Sequence, residues 1–262
     1  MLKKIICMDS LKTFSNDYYI PKNFIDLDDR QLFEIFTHKP IRVIQGEGKY
    51  QGLNSILIRF GLCNLRCNFC DAAQNWNADL KLTLQDLLNW PDLKSSNLLI
   101  TGGEPLLNNY RQYFISTLLQ YTDKNKIVEI ETNGTNDIRF ITIIERCQIN
   151  ISPKELRYQH QMITDIDYRL LEQVKNKEIP NYIVKFVYDN TDEVRKFIET
   201  IINKYCIPEN NVYIMPKGAT KEKLKDNLFP ALDYAIKNNF NFSTRLHIML
   251  DIAKYLQEPD VS

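Results

Sequence analysis

The stretch that decides the fold runs Ser55-Ile56-Leu57-Ile58-Arg59-Phe60-Gly61-Leu62-Cys63-Asn64-Leu65-Arg66-Cys67-Asn68-Phe69-Cys70. Its opening, SILIRFG, is a short apolar and β-branched run that predicts a strand. Cys63, Cys67 and Cys70 follow directly, at the spacing C-x3-C-x2-C. The chain has 6 cysteines in all, and the solitary Cys7, Cys147 and Cys206 read as small buried hydrophobes. A disulfide framework is not expected at this length without a secretory leader, so the trio reads as a metal site. Soft thiolates suit iron–sulfur chemistry, and three of them can hold three corners of a [4Fe–4S] cube. The fourth iron then has no protein ligand and is open to a small molecule. Structural zinc wants four protein ligands, usually from two C-x-x-C pairs. No second pair exists here, and His160 and His247 stand apart.

Outward from this stretch, short β-branched runs alternate with helical patterns. Strands are expected at Ser55–Gly61, Asn97–Thr101, Ile127–Thr132, Gln148–Ser152, Tyr182–Val187 and Asn211–Met215. Helices are expected at Thr83–Trp90, Asn108–Tyr121, Ile138–Arg146, Asp167–Lys175, Asp192–Lys204 and Lys221–Asn238. This alternation implies an α/β fold of right-handed βαβ units around a parallel sheet. The sheet is either flat or curved into a full or partial barrel, with strands apolar on both faces. Residues 1–38 are polar and irregular and read as an N-terminal extension, with a short helical candidate at Asp28–Phe36; the main domain spans 39–262. In such folds ligands collect at the carboxyl ends of the strands. The unusual residues fall there: Cys63, Gly102-Gly103-Glu104, Asn133-Gly134, Ser152-Pro153-Lys154 and Pro216-Lys217-Gly218.

Composition narrows the class. Lysine plus arginine and aspartate plus glutamate both count 33, for a net charge of +0, which argues against a sequence-independent grip on nucleic acid. No apolar run approaches the roughly 18 residues of a membrane span. The apolar run near the start, Ile5-Ile6-Cys7-Met8, is too short for a signal-peptide core, so a cytoplasmic protein with no membrane partner is expected. Only 8 glycines occur, and 7 of them lie between Gly46 and Gly134. Glycines kept in so glycine-poor a chain mark sharp turns or close approach of backbone to a ligand.

Cys63 to Cys70, followed by Thr101-Gly102-Gly103-Glu104-Pro105, resembles the radical S-adenosylmethionine (SAM) superfamily. The resemblance implies a partial or modified (β/α) barrel spanning 39–262, with the open iron of the cluster holding the amino and carboxylate groups of SAM. Electron transfer then cleaves SAM to methionine and a 5′-deoxyadenosyl radical, which removes a substrate hydrogen atom. Phe69 would pack near the adenine. Gly102 and Gly103 would let the strand end approach the methionine moiety, and Glu104 would bind the ammonium. Pro105 can start the next helix. Thr132, Ser152, Pro153 and Lys154 would complete the SAM site.

The residues before the cysteines narrow the resemblance. Ile44-Gln45-Gly46-Glu47-Gly48 and Ile58 to Leu65 resemble the 7-carboxy-7-deazaguanine synthase family. Glu131-Thr132-Asn133-Gly134-Thr135, Met215-Pro216-Lys217-Gly218 and Arg245-Leu246-His247 are similar too. This implies a homodimeric lyase-type enzyme of queuosine and deazapurine biosynthesis, served by a flavodoxin- or ferredoxin-like electron donor. Its substrate would be 6-carboxy-5,6,7,8-tetrahydropterin. A radical ring contraction with loss of ammonia gives 7-carboxy-7-deazaguanine, and SAM is regenerated. Arg59 can take the substrate carboxylate bidentately. Gln45, with the backbone of Ile44 and Gly46, can read the pyrimidinone edge, and Thr101 matches a substrate contact. One departure concerns Mg²⁺. The family places a threonine or serine hydroxyl after the aspartate, whereas here the run is Cys70-Asp71-Ala72-Ala73, so Mg²⁺ dependence is expected to be weak or altered. The alternatives are a related radical SAM enzyme with another substrate, such as a glycyl-radical activase, or a non-enzymatic iron–sulfur module.

Overall fold

Along β3 (Asn54–Phe60), Ile56, Ile58 and Phe60 alternate with Leu57 and Arg59, and only the first set joins the hydrophobic cluster that includes Phe114 and Leu118. The computed structural model describes residues 33–67, 70, 73–155, 157–158, 161–162 and 166–251. Among these, β3 pairs in parallel with β5 (Leu98–Gly102), and the parallel series continues through β6 (Val128–Thr132) and β7 (Cys147–Ile151). It goes on through β10 (Tyr182–Tyr188), β11 (Val212–Pro216) and β12 (Asn241–Phe242). On the other side of β3 the sheet turns antiparallel, through β1 (Phe33–Phe36) to β4 (Leu80–Thr83), and β2 (Ile41–Ile44) also pairs with β3. Among the described residues the sheet ends at β12 and β4, so the barrel is open. A short hairpin of β8 (Arg157–Tyr158) and β9 (Gln161–Met162) stands apart.

The helices are α1 (Leu84–Leu88), α2 (Asn109–Tyr121), α3 (Arg169–Lys175), α4 (Asp192–Tyr205), α5 (Lys221–Lys237) and α6 (Leu246–Met249). They cover the strand face built from Ile100, Val128, Ile130, Ile149, Val184, Phe186 and Ile214, which joins Phe114 and Leu118 of α2 in one core. The open side of the barrel is bridged by the turn after β2. There the Gly48 amide donates to Ser243 Oγ at 2.7 Å, and the Leu246 amide donates to the Gly46 carbonyl at 2.9 Å.

Five expectations change, beginning with Cys206, which is exposed at the C-cap of α4 rather than buried. The strands are not apolar on both faces: Glu129, Gln148, Asn150 and Lys185 are all buried on the inner side, because that side lines a polar interior rather than a second helix layer. Ile138–Arg146 is not a helix but an irregular crossover ending in a single 3-10 turn at Ile144–Arg146. Its amides are taken by neighbouring side chains instead. Gln173 Oε1 accepts from Ile138, Gln112 Oε1 from Arg139 and Phe140, and Ser116 Oγ from Thr142. These bonds, with the β-branched run, compete successfully with an internal helical ladder. Phe33–Phe36, part of the helical candidate Asp28–Phe36, is the strand β1, with Phe36 packed on Phe60 at 4.7 Å between ring centroids. Finally, Pro105 does not start α2, whose first residue is Asn109 and whose cap is Asn108, its side chain accepting from the Arg111 amide.

Candidate active site

Past their last residues, β3 and β5 remain bound to each other. The Gly103 amide donates to the Phe60 carbonyl and the Glu104 amide to the Leu62 carbonyl, each at 2.9 Å. A Cβ on Gly103 would lie 1.8 Å from the Leu62 oxygen, and one on Gly102, where φ is +137°, would lie 2.0 Å from the Phe60 oxygen. The paired glycines are therefore demanded by the neighbouring backbone, whatever ligand they also serve. The result places the cysteine loop against the turn carrying Glu104.

Cys63, Cys67 and Cys70 are free, half-buried thiols in this loop. Burial first, and Glu104 second, push the Cys63 thiol up to about 12, and burial raises Cys67, while Lys154 pulls both down. The donor set is three soft sulfurs on one loop. Among the described residues no three His, Cys, Asp or Glu groups converge to hold a single ion. Three in number and soft in chemistry, the set fits an iron–sulfur cluster with one iron left open.

Around the loop stand the residues expected to hold SAM. Glu104 is fully buried; Oε1 accepts from Thr132 Oγ1 at 2.7 Å and the Leu106 amide at 2.8 Å, and Oε2 from the Asn133 amide at 2.8 Å. Burial raises its pKa and these bonds oppose the rise. Oε2 keeps capacity for another donor. Lys154 Nζ donates to Ser152 Oγ at 2.9 Å, and the Tyr168 hydroxyl donates to the Lys154 carbonyl at 2.9 Å. Pro153 is buried between them. Phe69, Asp71 and Ala72 lie outside the described residues.

The barrel interior holds a second polar set. Glu47 pairs with Lys185 Nζ at 2.5 Å and with Arg245 Nε at 3.0 Å, and Lys185 also reaches Glu131 at 3.3 Å. Thr101 Oγ1 donates to Glu131 Oε2 at 3.0 Å. Burial pushes the Glu47 carboxyl up, but Lys185, Arg245 and His247 outweigh it and hold it well below the usual carboxylate range. Burial disfavours the charge on Lys185, yet Glu131 and Glu47 raise its pKa. Arg59, on the same inner face, has its pKa lowered by burial, opposed by Glu131, Glu47 and Cys70. Its guanidinium thus senses both the interior and the cysteine loop. Gln45 is buried and donates to Glu129 Oε2 at 3.1 Å, while Asn150 donates to Glu129 Oε1 at 2.9 Å. Burial pushes the Glu129 carboxyl up to about 7.

The structure brings Gln45, Arg59 and Thr101 to one interior, but the Ile44 side chain stays 38% exposed on β2, so only its backbone is available. Gly46 packs under His247, whose Nδ1 would lie 2.1 Å from an added Cβ. Sequence reasoning quoted Glu47 and Glu131 only as motif neighbours and missed Glu129 and Lys185. The signal was there: charges at alternate positions in Val128–Thr132 and one lysine amid the apolar Tyr182–Tyr188.

A cysteine loop for a cluster beside a buried carboxylate turn, over a parallel open barrel, defines a class. The family model for the radical SAM superfamily matches residues 57–212, and the chain belongs to that superfamily; it is an enzyme that uses a [4Fe–4S] cluster, SAM, an electron donor and a small-molecule substrate. The 7-carboxy-7-deazaguanine synthase of Rickettsia prowazekii is 30% identical over 94% of this chain and 98% of its own length. That of Aquifex aeolicus is 31% identical over 71% of this chain and 78% of its own. The chain belongs to the 7-carboxy-7-deazaguanine synthase family. The crystal structure of QueE from Escherichia coli shares the fold, with a TM-score of 0.62 over 82% of this chain and 95% of that one, at 18% identity.

Glu129 offers a test of the interior. A carboxyl whose folded pKa is raised binds more protons folded than unfolded, so it lowers stability as pH climbs from its ordinary 4.5 to about 7. Glu129→Gln should therefore raise the melting temperature at pH 8 and leave it unchanged at pH 4. An amide flip of Asn150, whose Oδ1 has no partner among the described residues, would accommodate the new amide. Equal shifts at both pH values would contradict the burial argument.

Proposed function

We propose that this chain converts 6-carboxy-5,6,7,8-tetrahydropterin to 7-carboxy-7-deazaguanine with loss of ammonia, a carbon–nitrogen cleavage and ring contraction in queuosine and deazapurine biosynthesis. The observation that carries this reading is the buried interior pairing two kinds of recognition. Gln45, Glu129 and Asn150 form an amide–carboxylate edge suited to the donor and acceptor pattern of a pyrimidinone. Arg59, on β3 beside Thr101, supplies a planar fork for a carboxylate. The Ile44 and Gly46 backbone would complete the pyrimidinone contacts.

Cys63, Cys67 and Cys70 would hold the cluster, which with bound SAM supplies a carbon radical able to remove a hydrogen atom from the substrate. Glu104 would take the SAM ammonium, with Gly103, Thr132, Ser152, Pro153, Lys154 and Phe69 around it. Lys185 and Glu131 would keep the interior's charges in place, and the buried wall would exclude water from the reacting carbon.

The finer partners belong to the same reading. A flavodoxin- or ferredoxin-like protein would deliver the electron. The chain would act as a homodimer, and Phe229 and Ile236, 72% and 70% exposed on α5, support an apolar surface for association. No described helix is long and apolar enough to cross a membrane. We place the radical SAM domain at 39–262, with β1 of the preceding segment joined to its sheet.

Two outcomes test this reading. Arg59→Lys keeps the charge but loses the fork, so the KM for the carboxypterin should rise about tenfold, the worth of one charge-assisted bond. Formation of 5′-deoxyadenosine without pterin should stay unchanged. An unaltered KM would exclude Arg59 as the carboxylate clamp. Mg²⁺ binds through few protein groups, and Ala72 offers no hydroxyl. Turnover should therefore depend weakly on Mg²⁺, and Ala72→Thr should strengthen the dependence; tight, saturable activation of the natural protein would contradict this.

A further inference from the structure

We propose that Arg111 is a positioning residue that locks the cysteine loop to the SAM turn, with Glu34 of β1 as its buried counter-charge. The proposal rests on the assignment of Glu104 and its neighbours to SAM, and the test below separates the two.

Both side chains are fully buried. The Arg111 fork is used on three sides. Nε and Nη2 donate to Glu34 Oε2 at 3.1 and 2.7 Å, and Nη1 donates to the carbonyls of Gly61 at 3.0 Å and Glu104 at 2.9 Å. Gly61 lies two residues before Cys63. One planar group therefore spans the cysteine loop and the turn that carries Glu104. The Phe60 ring lies 4.7 Å from the guanidinium carbon. β1 holds the same residue through the preceding peptide, since the Gly61 amide donates to the Ile35 carbonyl at 2.7 Å.

Stability alone does not account for this arginine. It sits in the first turn of α2, where the helix dipole disfavours a cation. Apolar residues of similar volume commonly match or exceed a buried ion pair in stability. What apolar residues cannot do is hold two carbonyls at a fixed separation. Lysine keeps the charge, but its donors share one nitrogen and cannot serve a carboxylate and two carbonyls in one plane. β1 thereby gains a part in the site: it delivers the charge that lets the fork stay buried. A small displacement of one loop against the other would misalign SAM with the open iron, and misplacements of that kind carry large losses.

The test is the double variant Glu34→Met with Arg111→Met, reconstituted anaerobically with iron and sulfide. It removes both charges together, so no unpaired charge is left buried. The readouts are the thermal melt, iron per chain, the SAM Kd by equilibrium dialysis, and the electron paramagnetic resonance spectrum of the dithionite-reduced cluster with and without SAM. The expected result is a cooperative melt and wild-type iron, with SAM binding weakened about tenfold or more and the SAM-induced spectral change diminished. Glu34→Gln keeps an oxygen for both donors but leaves the Arg111 charge buried without its counter-charge, so its SAM Kd should also rise; a wild-type Kd there would remove Glu34 from the proposal. If the double variant does not melt cooperatively, Arg111→Lys is read by the same measures. An unchanged SAM Kd in Glu104→Gln would instead remove the SAM assignment. A wild-type SAM Kd and spectral response in the double variant, or in Arg111→Lys, would overturn the proposal, as would loss of iron from a variant that still melts cooperatively.

Discussion

The Gly103 amide donates to the Phe60 carbonyl and the Glu104 amide to the Leu62 carbonyl, each at 2.9 Å. These two bonds carry the parallel register of β3 and β5, in which Arg59 faces Thr101 and Phe60 faces Gly102, beyond the sheet and into the loops. Everything chemical follows from that extension. It sets Cys63 against Glu104, close enough for the carboxylate to raise the thiol pKa. It forbids a side chain at either glycine. It also brings the Gly61 and Glu104 carbonyls within reach of one guanidinium.

The same strands divide the molecule's energetics by face. Outward residues such as Ile100, Ile130 and Ile149 are buried against helices, where burial of apolar surface contributes about 25 cal/mol per Å². Several inward residues, Glu129, Asn150 and Lys185 among them, are polar and also buried, an expensive arrangement unless each charge is compensated. Glu47 is compensated by Lys185 and Arg245, drawn from β10 and from the segment after β12 on which the turn after β2 docks. A fold that needed only stability would fill this space with aliphatic side chains. Keeping it polar makes sense for a site that must read a flat, hydrogen-bonding, carboxylated molecule.

Much of this was legible in the chain. The cysteine spacing, the double glycine before Glu104 and the strand runs each have a local cause, and all six expected strands lie within one residue of where the sequence places them. What failed depends on partners far away in sequence. Ile138–Arg146 has helical apolar spacing, but Gln112, Ser116 and Gln173 capture its amides from other helices. Phe33–Phe36 is a strand because it pairs with the distant Leu80–Thr83 and seats Phe36 on Phe60. Glu129 and Lys185 stand in a visible pattern of charges within apolar strands, but that pattern reads the same whether it faces water or a sealed interior.

The most direct measurement follows the carboxypterin itself. The reconstituted protein is incubated anaerobically with SAM, dithionite and 6-carboxy-5,6,7,8-tetrahydropterin, and the products are separated and quantified. This account expects 7-carboxy-7-deazaguanine and ammonia in equal amounts, with SAM recovered at the end. Accumulation of 5′-deoxyadenosine at the same rate with and without the pterin, and no deazaguanine, would contradict it.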